Sequence, residues 1–252
     1  MSAFIALEDR LLRALARSPA DWTEIWAITD ALGALFGAKL GWTARRGPFQ
    51  GIRVEGFNHP SPYLLGSYES ELHAIIEDLI ATAPPRIVNV GSAEGWYAAG
   101  FAKRLPAAEV IAFDIVPEQV EATRRTAREN GLERRVDARL AETGPEPFAA
   151  ALAPGSLVVM DCEGHEFFLL DLDAAPGLKD CAILVEVHDM TLAGLSDILL
   201  ERFRPTHTVT RIQPRPRDPR DFPELAGLPR QIADLAVHEF RPEMEWFVLR
   251  PF

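Results

Sequence analysis

The sequence predicts an α/β fold, in which a doubly wound, mostly parallel seven-stranded sheet carries an N-terminal helical extension. Short apolar runs alternate with helical segments from Arg86 onward. A glycine-rich turn follows the first of these runs, and a carboxylate ends the second. By contrast, the first forty residues space their apolar side chains as helices do. Alternation of this kind is typical of parallel strands with helices on both faces.

Residues 1–66 are predicted to form a helical arm or cap followed by a loop. Asp21 with Glu24 forms an Asp-x-x-Glu helix start, and the apolar periodicity that follows ends near Gly41. Glycine and proline dominate residues 45–66, which indicates a loop with one short strand at 52–54. The arm is also a surface through which the chain could form a homodimer.

Residues 67–252 are predicted to form the sheet domain, beginning with a helix whose N-cap is Ser67. Strands are predicted at 86–90, 110–113, 136–140, 157–160, 183–187, 206–212 and 246–249. Helices are predicted at 69–82, 96–105, 117–130, 167–172 and 192–203. Residues 213–242 are rich in proline and arginine and are too long for a plain connection, so we expect a lid or substrate cap there.

Composition narrows the class of partner. The formal net charge of −11 disfavours generic binding to nucleic acid or anionic lipid, which leaves a small-molecule substrate as the expectation. No apolar run approaches the ~20 residues that span a bilayer, and the acidic N-terminus does not resemble a secretory signal. We therefore expect a cytoplasmic protein without membrane partners. Cys162 and Cys181 fall at opposite ends of parallel strands and should be free thiols.

The turn Gly91-Ser92-Ala93-Glu94-Gly95 lies where open α/β sheets bind ligands. Its G-x-x-x-G spacing departs from the dinucleotide pattern G-x-G-x-x-G, and Glu94 lies where helix amides should attract a diphosphate. A phosphate-free cofactor that carries a sulfonium and an ammonium suits this turn better. Asp114 ends the second strand, where a carboxylate can accept hydrogen bonds from ribose hydroxyls. The alternatives are a plain tight turn and a helix cap before Pro117.

These residues, together with the run Asp161-Cys162-Glu163-Gly164-His165-Glu166, resemble the motifs of class I S-adenosylmethionine-dependent methyltransferases. The D-x-E-G-x-E run resembles the FkbM-type subgroup, and the resemblance covers residues 86–187. It implies a Rossmann-like fold with an antiparallel last strand, and S-adenosylmethionine as cofactor. The implied cofactor contacts are Asn89, Gly91, Ser92, Glu94, Gly95, Asp114, Ile115, Ala141, Glu142 and Asp161. Asn89 departs from the family, which usually has an acidic residue there, although its carbonyl can still accept a hydrogen bond.

Acidic and histidine side chains follow the fourth and fifth strands and should converge beside the transferring methyl group. In one reading, His188 or His165 removes a proton from the acceptor while Glu163 or another carboxylate orients the imidazole. In a second, a divalent metal binds the cluster, for which the candidate ligands are Asp161, Glu163, Glu186 and His188. In a third, the cluster is structural: Glu163 caps a short helix and an arginine neutralises Glu186.

The sequence therefore predicts methyl transfer to an oxygen, or to a nitrogen, of a small-molecule or sugar-like acceptor. Two other functions are compatible with an adenosine site at this turn: a cofactor-binding protein without transfer activity, and an NAD-dependent oxidoreductase. Four arginines before and within the long proline-rich segment either bind an anionic substrate or form a solvated surface. They are Arg211, Arg215, Arg217 and Arg220.

Overall fold

The computed structural model describes residues 1–17, 21–141, 144–242 and 244–252. The chain divides into two compact units, one formed by residues 1–70 and 215–241 and the other by residues 71–214 and 242–252. None of the described helices has the length and apolar character needed to cross a membrane.

The first unit is helical. It contains α1 (Ser2–Leu15), α2 (Trp22–Leu40), α3 (Ser61–Leu65), α10 (Arg230–Val237) and two short 3-10 helices, Pro219–Asp221 and Pro223–Leu225. The Asp21 carboxylate accepts the Glu24 N–H at 3.1 Å, and Gly41 ends α2 at a φ of 74°, so the predicted start and end of this helix are confirmed. The strand predicted at 52–54 is wrong, because only one bridge forms there, between Thr43 and Arg53.

The long proline-rich segment is more ordered than predicted. It carries α10, which packs against α1, α2 and α3, so residues 215–241 belong to the same compact unit as the N-terminal helices. Salt bridges within this unit join Arg46 to Glu224 at 2.9 Å and Arg217 to Glu239 at 2.6 Å. Arg217 therefore binds the chain's own carboxylate and is only 10% exposed, which neither the substrate-binding nor the solvated-surface interpretation predicted for it. The lid function of the segment stays a prediction.

The second unit contains the sheet. Its strands are β1 (Arg86–Val90), β2 (Glu109–Asp114), β3 (Val136–Leu140), β4 (Leu157–Met160), β5 (Ala182–Val187), β6 (His207–Ile212) and β7 (Glu245–Pro251). Its helices are α4 (His73–Ala81), α5 (Trp96–Arg104), α6 (Pro117–Glu129), α7 (Glu146–Ala151), α8 (Glu166–Leu169) and α9 (Leu195–Phe203), with 3-10 turns at Ser70–Leu72, which begins in the first unit, and Pro176–Asp180. The helix predicted from 69 begins only at His73, and Ser67 is not its cap, since its hydroxyl donates to the Pro62 carbonyl at 3.4 Å.

The strand order is β3-β2-β1-β4-β5-β7-β6, with β7 antiparallel to both of its neighbours and every other pair parallel. The predicted α/β class and the seven strands are confirmed, and the sheet is mixed rather than wholly parallel. The antiparallel β7 is also what the resemblance to class I methyltransferases implies. Since β1, β2, β4 and β5 run in one direction, their carboxyl ends meet at one edge, where ligands bind in such sheets.

One face of the sheet is covered by a continuous apolar core. Alternate strand residues point into it, including Val88, Val158 and Val185, together with Phe247 of β7 and Phe203 of α9. Both cysteines are free thiols, as predicted.

The buried imidazole of His207 on β6 predicts a pH dependence of stability. Burial lowers the pKa of His207 below its ordinary value of 6.5, although its ring lies 3.0 Å from the Cys181 carbonyl oxygen. The unfolded chain therefore binds more protons than the folded chain just below that pH, so this contribution is complete above pH 6.5 and is lost as the pH falls. Urea unfolding of the wild type and His207→Phe across this range should show a steeper acid decline in the wild type. Parallel declines would contradict the assignment.

Candidate functional site

The glycine turn joins β1 to α5 at the carboxyl edge of the sheet. Gly91 and Gly95 have φ angles of 75° and 88°, which glycine adopts without strain. The N–H groups of Gly91 and Ser92 donate to the Phe113 carbonyl at 2.9 and 3.0 Å, and that of Gly95 to the Ser92 carbonyl at 2.7 Å. The Ala93 N–H donates to the Asp114 carboxylate at 2.9 Å. Four of the five turn N–H groups are thus already used within the protein.

Both glycines also permit close packing of neighbouring segments. A β-carbon on Gly91 would lie 1.6 Å from the Asp161 carbonyl oxygen, and one on Gly95 would lie 3.0 Å from the Thr123 α-carbon. The first distance is far below any real contact, so Gly91 is required for the segment after β4 to pass beside the turn. The predicted positive φ is confirmed, and the close approach is to the protein's own backbone.

Asp114 at the end of β2 fixes the turn from the other side. One carboxylate oxygen accepts the Ala93 N–H, and the other accepts the Val116 N–H, each at 2.9 Å. Val116 is the N-cap residue of α6, and that helix has no side-chain cap, so the alternative of Asp114 as a helix cap is wrong, although its carboxylate does fix the segment that leads into α6. Each carboxylate oxygen can accept a second hydrogen bond. The carboxylate therefore remains able to bind ribose hydroxyls.

Large apolar side chains are exposed beside Asp114. Ile115 is 69% exposed and Leu140 is 50% exposed, and Leu140 pairs with Asp114 in the register of β2 and β3. Exposed apolar side chains next to a carboxylate can bind a flat ring with an attached sugar. Ala141 is half-buried, and its N–H donates to the Asp114 carbonyl at 2.7 Å, whereas Glu142 lies outside the described residues. The sequence analysis missed Leu140, although its position ending the third strand was a usable signal.

Asn89, the residue before the last of β1, is buried. It is 1% exposed, and its amide group donates to the Val159 carbonyl at 3.3 Å. Its carbonyl oxygen is buried and has no hydrogen bond within the described part of the chain. Ser92 is also buried, and its hydroxyl oxygen accepts from Thr123 at 3.0 Å, while Glu94 is half-buried. The carbonyl of Asn89 can therefore accept one further hydrogen bond.

His188, just beyond β5, is the centre of the acidic cluster. The ring is 2% exposed, and Nδ1 lies 2.9 Å from the Glu166 carboxylate. Nε2 lies 3.5, 3.6 and 3.7 Å from oxygens of Asp161, Glu163 and Glu186. Burial alone would lower the pKa of His188, but the hydrogen bond and charge of Glu166, with the charges of Asp161 and Glu163, outweigh it and raise that pKa. The structure therefore brings together all four predicted metal candidates.

The side chains of the D-x-E-G-x-E turn differ in burial and in contacts. Glu163 has a φ of 56° and a side chain that is 83% exposed, and it does not cap α8, so that part of the structural reading is wrong. His165 is exposed, and its Nδ1 lies 3.3 Å from the Cys162 carbonyl oxygen, with no salt bridge in the described residues. Glu166 was in the predicted cluster but had no assigned role. It is fully buried, and it accepts the Cys162 N–H at 2.9 Å.

Two other side chains bear on the chemistry of this edge. Burial and the Glu166 charge raise the pKa of the Cys162 thiol well above its ordinary value, which keeps it protonated and unreactive. Trp246 of β7 pairs with Glu186 in register and is completely buried. Its indole N–H has no hydrogen bond among the described residues. The sequence analysis did not single out Trp246, because a tryptophan in a strand gives no local sign of a neighbouring carboxylate.

Comparison with known proteins adds a short sequence match and a shared fold. No protein-family profile matches the chain. A segment of 62 residues is 37% identical to the release factor glutamine methyltransferase of Deinococcus radiodurans, and it covers 25% of this chain and 22% of that protein. The match thus spans about a fifth of the length of that relative.

Solved structures resemble the chain over most of its length. The crystal structure of a fibrillarin/Nop5p complex has a TM-score of 0.50 and 11% identity, with 83% of this chain and 92% of that chain covered. The O-methyltransferase from Bacillus cereus in complex with SAH has a TM-score of 0.48 and 11% identity, with 88% and 89% covered. At 11% identity the fibrillarin/Nop5p comparison shows the fold alone.

Proposed function

We propose that the protein is an S-adenosylmethionine-dependent methyltransferase of the FkbM type, which methylates an oxygen of a small-molecule or sugar-like acceptor. The observation that carries the proposal is the turn at residues 91–95, whose N–H groups are largely used internally and which lies beside Asp114 and two exposed apolar side chains. Such a site lacks the free amides that a diphosphate needs but keeps the features that bind adenosine. The 62-residue match to a protein named as a methyltransferase also supports the proposal.

The residues present fit this cofactor. Asp114 would accept the ribose hydroxyls, and Ile115 and Leu140 would pack against the adenine, while the buried carbonyl of Asn89 would accept from the ammonium group. When bound, the cofactor supplies a methyl group on a positively charged sulfur. Methyl transfer breaks the carbon–sulfur bond and forms a carbon–oxygen bond, with the electron pair left on sulfur and the acceptor proton released.

The chain's contribution to the reaction is to hold the acceptor in line and to take up the released proton. Acidic side chains around His188 lie at the same edge of the sheet as the turn, because β1, β4 and β5 are parallel neighbours. His188 itself is poorly placed to act as the base in this arrangement, since Nε2 is buried behind three carboxylates. Glu163 is exposed and is better placed to meet an acceptor.

Turnover with a panel of acceptors tests the proposed activity. Purified protein with S-adenosylmethionine should release S-adenosylhomocysteine faster in the presence of at least one hydroxylated acceptor than without any. Asp114→Asn should reduce that rate at subsaturating cofactor. If the cofactor binds but no hydroxyl or amine acceptor in a broad panel is methylated, the protein is instead a cofactor-binding protein without transfer activity.

The exposed apolar side chains give a prediction that does not depend on folding. Ile115→Ala and Leu140→Ala remove groups that are mostly in water, so the free energy of unfolding should change by less than about 0.5 kcal/mol. Each should weaken S-adenosylmethionine binding by about three- to tenfold, because burial of a few methyl and methylene groups is lost. Phe252→Ala is the control, since Phe252 is 81% exposed and follows β7, which lies next to the opposite edge strand of the sheet. Equal affinities for all three variants and the wild type would rule out the adenine site.

A further inference from the structure

Three side chains from neighbouring strands converge at the carboxyl ends of β4 and β5. One carboxylate oxygen each of Asp161 and Glu186 and one ring nitrogen of His188 all lie within 4.8 Å of one another. Glu186 and His188 are buried, and Asp161 is half-buried. Imidazole and carboxylate groups in this proximity are the donors that divalent metal ions use in proteins.

The buried nitrogen Nε2 of His188 points to a ligand. The ring is 2% exposed, and neither of its nitrogens makes a hydrogen bond of good geometry within the described residues, although Nδ1 lies 2.9 Å from Glu166. Its distances of 3.5 Å to Asp161 and 3.7 Å to Glu186 exceed normal hydrogen-bond lengths. Donor atoms that share one metal ion, with bonds near 2.0–2.2 Å, lie about 2.8–3.6 Å apart. Of the two observed separations, 3.5 Å falls within this range and 3.7 Å lies just beyond it, and both fit a shared metal ion better than a pair of hydrogen bonds.

The other ring nitrogen of His188, Nδ1, faces a buried carboxylate, as the second nitrogen of a metal-binding histidine usually does. Nδ1 lies 2.9 Å from the Glu166 carboxylate, which is completely buried and also accepts the Cys162 N–H. Histidines that bind metals usually direct their second nitrogen to a carboxylate, which fixes the ring and makes the metal-binding nitrogen more basic. Glu166 is thus placed to orient His188 with Nε2 directed towards Asp161 and Glu186.

We infer that Asp161, Glu186 and His188 form a binding site for one divalent cation. The cation is one that accepts both nitrogen and oxygen ligands, such as Mn²⁺ or Zn²⁺. Glu163 is an exchangeable fourth ligand, because its oxygen is 3.6 Å from Nε2 while its side chain is 83% exposed. The catalytic role of this ion rests on the proposed function. An acceptor hydroxyl that replaces Glu163 on the ion would lose its proton more readily, as metal-bound water does.

Titration of the metal-stripped full-length protein with Mn²⁺ tests the site by calorimetry and by electron paramagnetic resonance. We expect one Mn²⁺ per chain, and at least hundredfold weaker binding in Glu186→Gln and in Asp161→Asn. Glu166→Gln should weaken binding about 10- to 100-fold, as substitutions that support a metal-binding histidine do. Glu163→Gln should lose less than Asp161→Asn, and Asp137→Asn, which changes an exposed carboxylate on β3, should bind like the wild type.

The temperature of thermal unfolding of each variant shows whether it is folded, and binding is compared only among folded variants. No binding of Mn²⁺ or Zn²⁺ at millimolar concentration, or binding that Glu186→Gln leaves unchanged, would overturn the metal site. Broadening of the His188 ring resonances by Mn²⁺ gives a readout in the wild type, and its absence would also overturn it. S-adenosylmethionine binding by the same stripped protein separates the two proposals, because it would survive the loss of the metal site alone.

Discussion

Asp114→Asn should bind S-adenosylmethionine about 10- to 150-fold more weakly than the wild type, measured by calorimetric titration. Hydrogen bonds to a charged group contribute about 1.5–3 kcal/mol, and that is the contribution the ribose hydroxyls would lose. The amide keeps the size of the side chain but turns one acceptor into a donor. That donor would face the N–H of Ala93 or of Val116, both of which bind the carboxylate in the wild type.

The structural role of Asp114 requires a control for folding. Asp114→Asn should lower the free energy of unfolding by about 1–3 kcal/mol, since one backbone N–H loses its acceptor. Affinity is therefore measured at a temperature where thermal unfolding shows the variant to be folded. Asp137→Asn is the matched control, because Asp137 lies on the neighbouring β3 and is bound only at the surface to Arg139. Unchanged cofactor affinity in Asp114→Asn would mean that the ribose carboxylate is misassigned.

Gly91→Ala should lower the free energy of unfolding more than the addition of a methyl group anywhere else in the turn. The left-handed conformation costs a non-glycine residue about 1–2 kcal/mol. Displacement of the Asp161 backbone, which lies 1.6 Å from the added carbon, should cost about 1–3 kcal/mol more. We expect a loss of about 2–5 kcal/mol in urea unfolding, with weaker cofactor binding in whatever fraction stays folded.

Gly131→Ala separates these two contributions. Gly131 also has a positive φ, 68°, but no atom lies within 4 Å of the position of an added β-carbon. It should lose only the conformational part, about 1–2 kcal/mol. Equal losses in Gly91→Ala and Gly131→Ala would show that the close approach of Asp161 to the turn is not a constraint on the fold.

The sheet was predictable because its signals are local. Strands β1 and β4 begin and end where their apolar runs do, and glycine and proline mark the turns between elements. Parallel strands place their carboxyl ends at one edge of the sheet. The sequence therefore predicted that Asp161 and His188, which are 27 residues apart, would lie close together. Which carboxylate meets which nitrogen was not predictable. It depends on the positive φ of Glu163 and Gly164, which turn Glu163 outwards and Glu166 inwards.

The secondary-structure elements that were not predicted depend on contacts between distant segments or on single backbone angles. Residues 213–242 read as a loop, because proline and arginine obscure the eight-residue α10, whose buried face packs on helices from the first 65 residues. The short α7 follows a proline, and half of its residues are alanine, which leaves little periodicity to recognise. The helix predicted from 69 starts late because Glu69 has a φ of 45°, which no helix accommodates. In each case tertiary packing or a single backbone angle overrides the local pattern.

The central claim is that the carboxyl edge of the sheet binds S-adenosylmethionine and no dinucleotide. Calorimetric titration of the full-length protein with S-adenosylmethionine, S-adenosylhomocysteine and NAD tests it directly. We expect the first two to bind with one molecule per chain and NAD not to bind, since the turn has few free N–H groups for a diphosphate. Tight binding of NAD without binding of the other two would contradict it.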